Sequence, residues 1–493
     1  MRKNIIKLLS LALALVLTMG SQPAFASSKD SLPVGLSLQE GYYNVDGNII
    51  IYINWDAFAE YYYDLAQQGG TSRTPVLNSL IAEGVHFTDM NSGLPSITNP
   101  MQTAILSGAW PETTMNPYRY YNPVQDKVIG FARENEAENM AQAMVRQGFR
   151  VASVNQFVLE SREEANVYHG KKYYDKGCAV GNKQAAYFTS GDNGLDRFDG
   201  MIALIKGEPV GTGANRMQLD KLPNFIAGYM DDLDALGHNE TAAGYDGVAQ
   251  ATTEQGRRDN VLNRLELLDA KLGELVAACK ATGLYDRMTF VLGTDHGMHP
   301  FGSQNGGTDD YTVSKLQGIY DIISEHGVKY EYVAAGKVPL SSTQLVIVSA
   351  GLQLQFTLKD STVPQATMDA IMTKIAAQPY VGKVLNKQEI AARGAIADFA
   401  DYIVSPKAPY HFKPGTSAYK ARGQHESQDD TAQKVFALMW GNGLKKGVTY
   451  GLPADIIDLI PTAAAAAGVG APANATGQVL TDALVGGSNP VAP

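Results

Sequence analysis

The sequence predicts a mainly parallel α/β sheet with helices packed on both faces. Short β-branched or aromatic runs alternate with longer helical patterns along the chain, the signature of strands joined by helical crossovers. Three of the apolar runs lead into acidic residues, as expected where a parallel sheet presents a ligand site beyond its carboxyl ends. The composition, 45% hydrophobic, suffices for a large core.

The elements follow in order. Arg2, Lys3 and Lys7 precede an apolar run from Leu8 to about Leu17, and Ala24-Phe25-Ala26 supplies small residues for a leader peptidase. The run is short of the ~20 apolar residues that span a bilayer, so a signal peptide cleaved after Ala26 is expected, with secretion and no membrane span once it is gone. Loss of three basic residues takes the net charge from −10 to −13, which works against a nucleic-acid polymer as partner and suits small substrates.

Expected strands are Ile49–Asn54, Arg150–Val154, Phe225–Met230, Met288–Leu292, Leu345–Val348 and Val435–Trp440, with helices at Pro75–Glu83, Met140–Gln147 and Leu262–Ala281. A strand-helix-strand pattern over Leu345–Val348, Gln365–Gln378 and Val381–Asn386 sits between the last ligand motifs. The expected divisions are therefore 1–26 as leader, 27–308 as the first part of a catalytic core, 309–422 as an inserted cap and 423–493 as the rest of the core. The Ala-rich stretch Thr462 to Ala473 is broken by Gly and Pro and predicts a packed helix with its exit. Cys178 and Cys279 are the only cysteines, and their spacing does not decide whether they pair.

The strand ends carry the chemistry. Ile49–Ile53 runs into Asp56, Phe225–Tyr229 into Asp231, Asp232 and Asp234, and Thr289–Leu292 into Asp295-His296. Any one aspartate here would serve as a helix cap or turn former. Two of the groups bring histidines: His238 follows Asp234 by four positions, with Gly237 expected to permit a tight bend, and His296 adjoins Asp295. Mixed Asp/His sets suit zinc and similar divalent ions. A loop histidine such as His425 is ordinarily a surface residue, but Asp234 and His238 need a third partner. Asp56, Asp234, His238, Asp295, His296 and His425 together make two incomplete metal shells.

The segment Gly93–Gly108 places a hydroxyl, Thr98, before Asn99-Pro100 and an apolar helical run. Near a helix N-terminus backbone N–H groups favour an anion. Thr98 is thus a candidate nucleophile, its alternative role being the helix cap; Ser96 and Thr103 compete less well.

These pieces, in this order, resemble the alkaline phosphatase superfamily, and most closely its type I phosphodiesterase/nucleotide pyrophosphatase branch. The matching stretches are the strand into Asp56, Pro95-Ser96-Ile97-Thr98, Leu106–Glu112, Asp234-x-x-Gly237-His238, Thr294-Asp295-His296-Gly297-Met298, Gly423-Gln424-His425, and Asp455–Thr462 with Gly468 and Pro472 beyond. The resemblance implies an alkaline-phosphatase-like fold and two divalent ions, zinc foremost. Asp234, His238 and His425 would hold one ion; Asp56, Asp295 and His296 the other. It implies hydrolysis of a small phosphoryl ester (a phosphodiester or pyrophosphate) through a phosphothreonine on Thr98, with Asn99 a candidate oxyanion contact. Three departures stand out. Ala57 follows Asp56 where the family has Gly, Met101 stands where many members have an oxyanion-binding Asn, and His425 is followed by Glu426, Ser427 and Gln428.

Competing functions are an alkaline-phosphatase-like phosphomonoesterase, a phosphonate hydrolase, and a metal-binding protein without catalysis. No cysteine lies in the Thr98 region, which disfavours a sulfatase. A monoester carries one more charge and calls for an extra cation; the Thr98 loop has no Arg, although Arg422 would serve if its loop folds inward.

Overall fold

The computed structural model describes residues 41–130, 135–160, 167–168, 171–172, 184–213, 216–240 and 244–488. The expected leader with its expected cleavage point, and Cys178, lie outside them. Cys279 is a free, buried thiol.

An eight-stranded sheet forms the core. Its spatial order is Val448–Tyr450, Gly84–Phe87, Ala437–Gly441, Met288–Gly293, Ile49–Trp55, Phe225–Met230, Val151–Val154 and Ala185–Phe188. The Ile49 strand lies parallel between the Phe225 and Met288 strands, with Ile51 opposite both Ile226 and Phe290. The three strands that end in acidic residues are therefore adjacent and point the same way. The Ala437–Gly441 strand runs antiparallel to both of its neighbours.

Apolar side chains line both faces, as a sheet covered on two sides requires. Ile49, Ile51, Ile53 and Trp55 face one core layer with the Gly194–Ile205 and Glu254–Ala281 helices. Ile50 and Tyr52 face the other, with Thr98–Ser107, Met140–Arg146 and Leu459–Ala467. Leu459–Ala467 is the Ala-rich helix, closed by Gly468 at φ 68°.

The expected strand at Leu345 belongs to a second sheet, ordered Tyr330–Tyr332, Leu345–Ala350, Gln353–Leu358, Tyr402–Pro406 and Val381–Asn386. Leu316–Glu325 and Gln365–Ala376 cover one of its faces through Ile319, Ile323, Met368 and Ile371. On the other face Val346 and Val348 meet Tyr121 and Val128.

One buried ion pair ties the long helix to the site. Arg257 donates to both carboxylate oxygens of Glu254 at 2.7 and 2.8 Å, to Tyr62 Oη at 2.8 Å and to the Gly237 carbonyl at 3.0 Å. Its guanidinium is wholly buried, so removing it leaves Glu254 with only Arg258. Arg257→Met is expected to lower the unfolding free energy by about 3 kcal/mol in a urea titration, and adding Glu254→Gln should restore part of it.

Candidate active site

Each of the three parallel strands delivers one carboxylate to the rim. Asp56 follows the Ile49 strand, its amide bound to the Met230 carbonyl at 2.9 Å. Asp234 lies on the Asp232–His238 helix after the Phe225 strand, and Asp295 follows the Met288 strand. Asp234 and His238 share one helix face four residues apart, with Asp234 Oδ1 and His238 Nε2 separated by 3.2 Å. The bend expected at Gly237 is not there. A Cβ at this position would lie 2.7 Å from Met298 Cε, so a larger residue would have to displace that methyl.

Ala57 stands where the family has glycine, and it adopts φ 61°. That conformation costs a non-glycine residue roughly 1–2 kcal/mol. The strain sits beside the candidate ligand Asp56, as strain often does at functional sites.

His425 reaches the cluster because Arg422–Gln424 pairs antiparallel with His299–Phe301, with Gln424 opposite His299. Its ring stacks on that of His296 at 3.7 Å between centroids, and His238 meets it edge-on at 5.1 Å. All three imidazoles use their ring nitrogens in the same way. The Nδ1 atoms of His238, His296 and His425 lie 2.9, 3.0 and 2.9 Å from the carbonyls of Gly423, Gly297 and Ser96. A carbonyl oxygen can only accept, so each Nδ1 carries a proton and each Nε2 is turned toward the cluster.

The carboxylates are half-engaged in the same manner. Asp295 Oδ1 accepts from the His296 amide at 3.1 Å and from Thr294 Oγ1 at 3.2 Å, and Asp56 Oδ2 accepts from the Tyr229 hydroxyl. Asp56 Oδ1 and Asp295 Oδ2 are buried without a hydrogen-bond partner, and Asp234 Oδ1 is met by His238 Nε2 at 3.2 Å. Buried carboxylate oxygens without a donor, gathered with imidazole Nε2 atoms, are a costly arrangement unless a cation fills the space. Ligand atoms of Asp56, Asp295 and His296 lie within 4.8 Å of one another, as do those of Asp234, His296 and His425. His296 thus faces both groups, and His238 joins through Asp234. The residues present fit divalent cations.

Electrostatics agree. Burial raises the Asp56 carboxyl well above the usual range, helped by the charges of Asp295 and Asp234. Burial also opposes charge on Asp234, but His238 outweighs it and holds that carboxyl well below its ordinary value. In the metal-free protein burial disfavours charge on His238, yet Asp234 lifts its pKa to about 9. Burial pushes His425 down to about 4.

Thr98 opens the Thr98–Ser107 helix while Ile97 occupies the cap position, so its hydroxyl does not cap the helix. Thr98 Oγ1 instead lies 3.1 Å from His296 Nε2. The competing hydroxyls are engaged elsewhere: Ser96 Oγ donates to the His425 carbonyl at 2.6 Å, and Thr103 Oγ1 to the Asn99 carbonyl at 2.8 Å. Asn99 Oδ1 accepts from Asn116 at 2.6 Å, leaving a buried Nδ2 without a partner. Met101 packs into the core. Arg422 does not turn toward Thr98; it donates to the Asn239 carbonyl. His299 bonds Ser427 Oγ and the Tyr410 carbonyl at 2.9 and 3.2 Å.

Sequence reasoning missed Tyr229, Ser96 as an anchor for His425, and Asn116. Only Ser96 carried a signal, its place beside Thr98.

An alkaline-phosphatase-like sheet with carboxylates and imidazoles gathered at its carboxyl rim defines the metal-dependent hydrolases of phosphoric esters. Within that class the chain belongs to the type I phosphodiesterase/nucleotide pyrophosphatase family, whose pattern matches residues 50–412. Solved structures agree on the fold. Murine ectonucleotide pyrophosphatase/phosphodiesterase 5 superposes with a TM-score of 0.56 at 15% identity, covering 89% of this chain and 100% of its own. The inactive threonine-to-alanine form of that mouse protein, in complex with AMP, matches to the same extent. The human counterpart gives 0.52 at 14% identity, with 86% and 96% covered. None of the curated protein sequences compared with this chain matches it.

Proposed function

We propose that the protein is a secreted phosphodiesterase or pyrophosphatase that works through a phosphothreonine on Thr98, with two divalent ions, zinc foremost, held by Asp56, Asp234, His238, Asp295, His296 and His425. The observation that carries this reading is Thr98 Oγ1 lying 3.1 Å from His296 Nε2, beside the unpartnered Asp56 Oδ1 and Asp295 Oδ2. Divalent cations bound there would activate the hydroxyl and stabilise charge on the attacking and leaving oxygens.

The chain's own residues account for the rest. Thr98 Oγ1 gives its proton to solvent and bonds to phosphorus as the ester oxygen on the opposite side leaves and takes up a proton from solvent. Water then cleaves the Thr98–phosphorus ester and restores the hydroxyl. The amides at the start of the Thr98–Ser107 helix, and the free Asn99 Nδ2, would receive the non-bridging oxygens.

A diester fits better than a monoester. The extra charge of a monoester needs an extra cation, and the candidate Arg422 is held on the Asn239 carbonyl. We further propose that residues 309–422 act as a cap over the site. Leu352 and Gln353 amides both donate to the Glu426 carbonyl at 3.1 Å, joining the second sheet to the segment that carries His425. The basic, apolar start of the chain supports export with cleavage after Ala26. No described helix is long and apolar enough to cross a membrane. The acidic net charge supports small-molecule esters over nucleic-acid polymers as substrates.

The test is kcat/KM of the zinc-loaded protein on paired nitrophenyl monoester and diester substrates. We expect the diester to be favoured by about tenfold or more, or about 1.4 kcal/mol in transition-state binding. A preference for the monoester would replace this reading with the phosphatase one; no turnover by metal-loaded protein would remove the catalytic claim.

A further inference from the structure

We infer that Tyr229 is a positioning residue that makes Asp56 bind metal through one oxygen, an inference that rests on the two-ion reading above. Tyr229 lies on the Phe225–Met230 strand, next to the strand that ends at Asp56, with Asn54 opposite it. Its hydroxyl donates to Asp56 Oδ2, while Oδ1 has no partner and lies 3.4 Å from His296 Nε2. The hydrogen bond fixes the rotation of the carboxylate and leaves a single oxygen facing the centre.

Tyr229 is itself held in place. Arg197 donates to its carbonyl at 3.3 Å and to Asp231 Oδ2 at 3.1 Å, Tyr245 donates to Asp231 Oδ1 at 3.0 Å, and Phe157 packs edge-on against its ring at 5.1 Å. A ligand oriented by a second hydrogen bond binds metal more tightly, and loss of such a partner typically costs 10–100-fold in affinity. One-oxygen carboxylate binding also suits four-coordinate zinc, whereas larger cations take carboxylates through both oxygens.

The experiment compares the full chain, metal-free at the start, with its Tyr229→Phe and Asp56→Asn variants, titrated with zinc against a chromophoric chelator. Tyr229→Phe should weaken one zinc by about 10–100-fold and leave the other unchanged. The visible bands of its cobalt-substituted form should lose intensity, because Asp56 becomes free to bind through both oxygens and raise the coordination number. The melting temperature of the metal-free variant should match that of the parent, which separates positioning from folding. If Asp56→Asn weakens zinc and Tyr229→Phe does not, the positioning role is overturned and the two-ion reading stands. If Asp56→Asn leaves both affinities unchanged, the two-ion reading itself fails and this inference with it.

Discussion

Thr98→Ala is expected to lower kcat/KM on a nitrophenyl diester by at least about 10⁴-fold, or about 5.5 kcal/mol of transition-state stabilisation. The size follows from the absence of a substitute among the neighbouring hydroxyls. Ser96 Oγ is buried and committed to the His425 carbonyl, and Thr103 Oγ1 is committed to its own helix at Asn99. Zinc content and melting temperature should stay at the parent values, since the Thr98 side chain is only half-buried and supplies no cap. Thr98→Ser keeps the hydroxyl but frees its rotation, and should retain activity to within about tenfold. A Thr98→Ala protein that keeps even a tenth of parental turnover would exclude Thr98 as nucleophile. The acceptor would then have to be water.

Loss of the cations should have the other large effect. Chelation is expected to abolish turnover and zinc to restore it, while Asp234→Ala should lose one zinc equivalent and at least about 10⁴-fold in kcat/KM. Stability should respond as well. Metal binding to the folded chain alone adds about 4 kcal/mol at a free zinc concentration 1,000 times Kd, visible as a raised melting temperature. The pH dependence has a definite sign. The raised pKa of His238 means that its pairing with Asp234 stabilises the metal-free fold fully below about pH 6.5, and that this contribution is lost as pH rises through about 9. Zinc must displace that proton, so apparent zinc affinity should rise toward pH 9 and then level. A melting temperature indifferent to both zinc and chelator would contradict the cation reading of the cluster.

The legible part of the site was the part written as local pattern. Asp295-His296 and the spacing of Asp234 and His238 mark candidate ligands through side-chain type and interval alone. The interval was nonetheless compatible with two backbones, a bend or a helix turn. Gly237 points to the bend until Met298, far along the chain, is seen to fill the space against it. Tyr229 gave no sign, since a tyrosine inside a strand is an ordinary β-former and its partner Asp56 lies 173 residues away. In the sheet, the central strands are strongly marked by apolar runs, but their order is not, because pairing joins segments far apart in the chain. The direction of Ala437–Gly441 was hidden, because an apolar run looks the same read either way. Gly84–Phe87, Ala185–Phe188 and Val448–Tyr450, each of three or four residues, were not expected.

The antiparallel strand Ala437–Gly441 also sets a timetable. It pairs on one side with Met288–Gly293 and on the other with Gly84–Phe87. During synthesis Gly84–Phe87 therefore waits, with an open edge, for a partner made near the end of the chain. His425 arrives in the same late interval, so the wide sheet and the last candidate ligand are completed almost together. A nascent chain stalled before that point would expose an unsatisfied strand edge, the kind of surface that recruits chaperones or neighbouring chains.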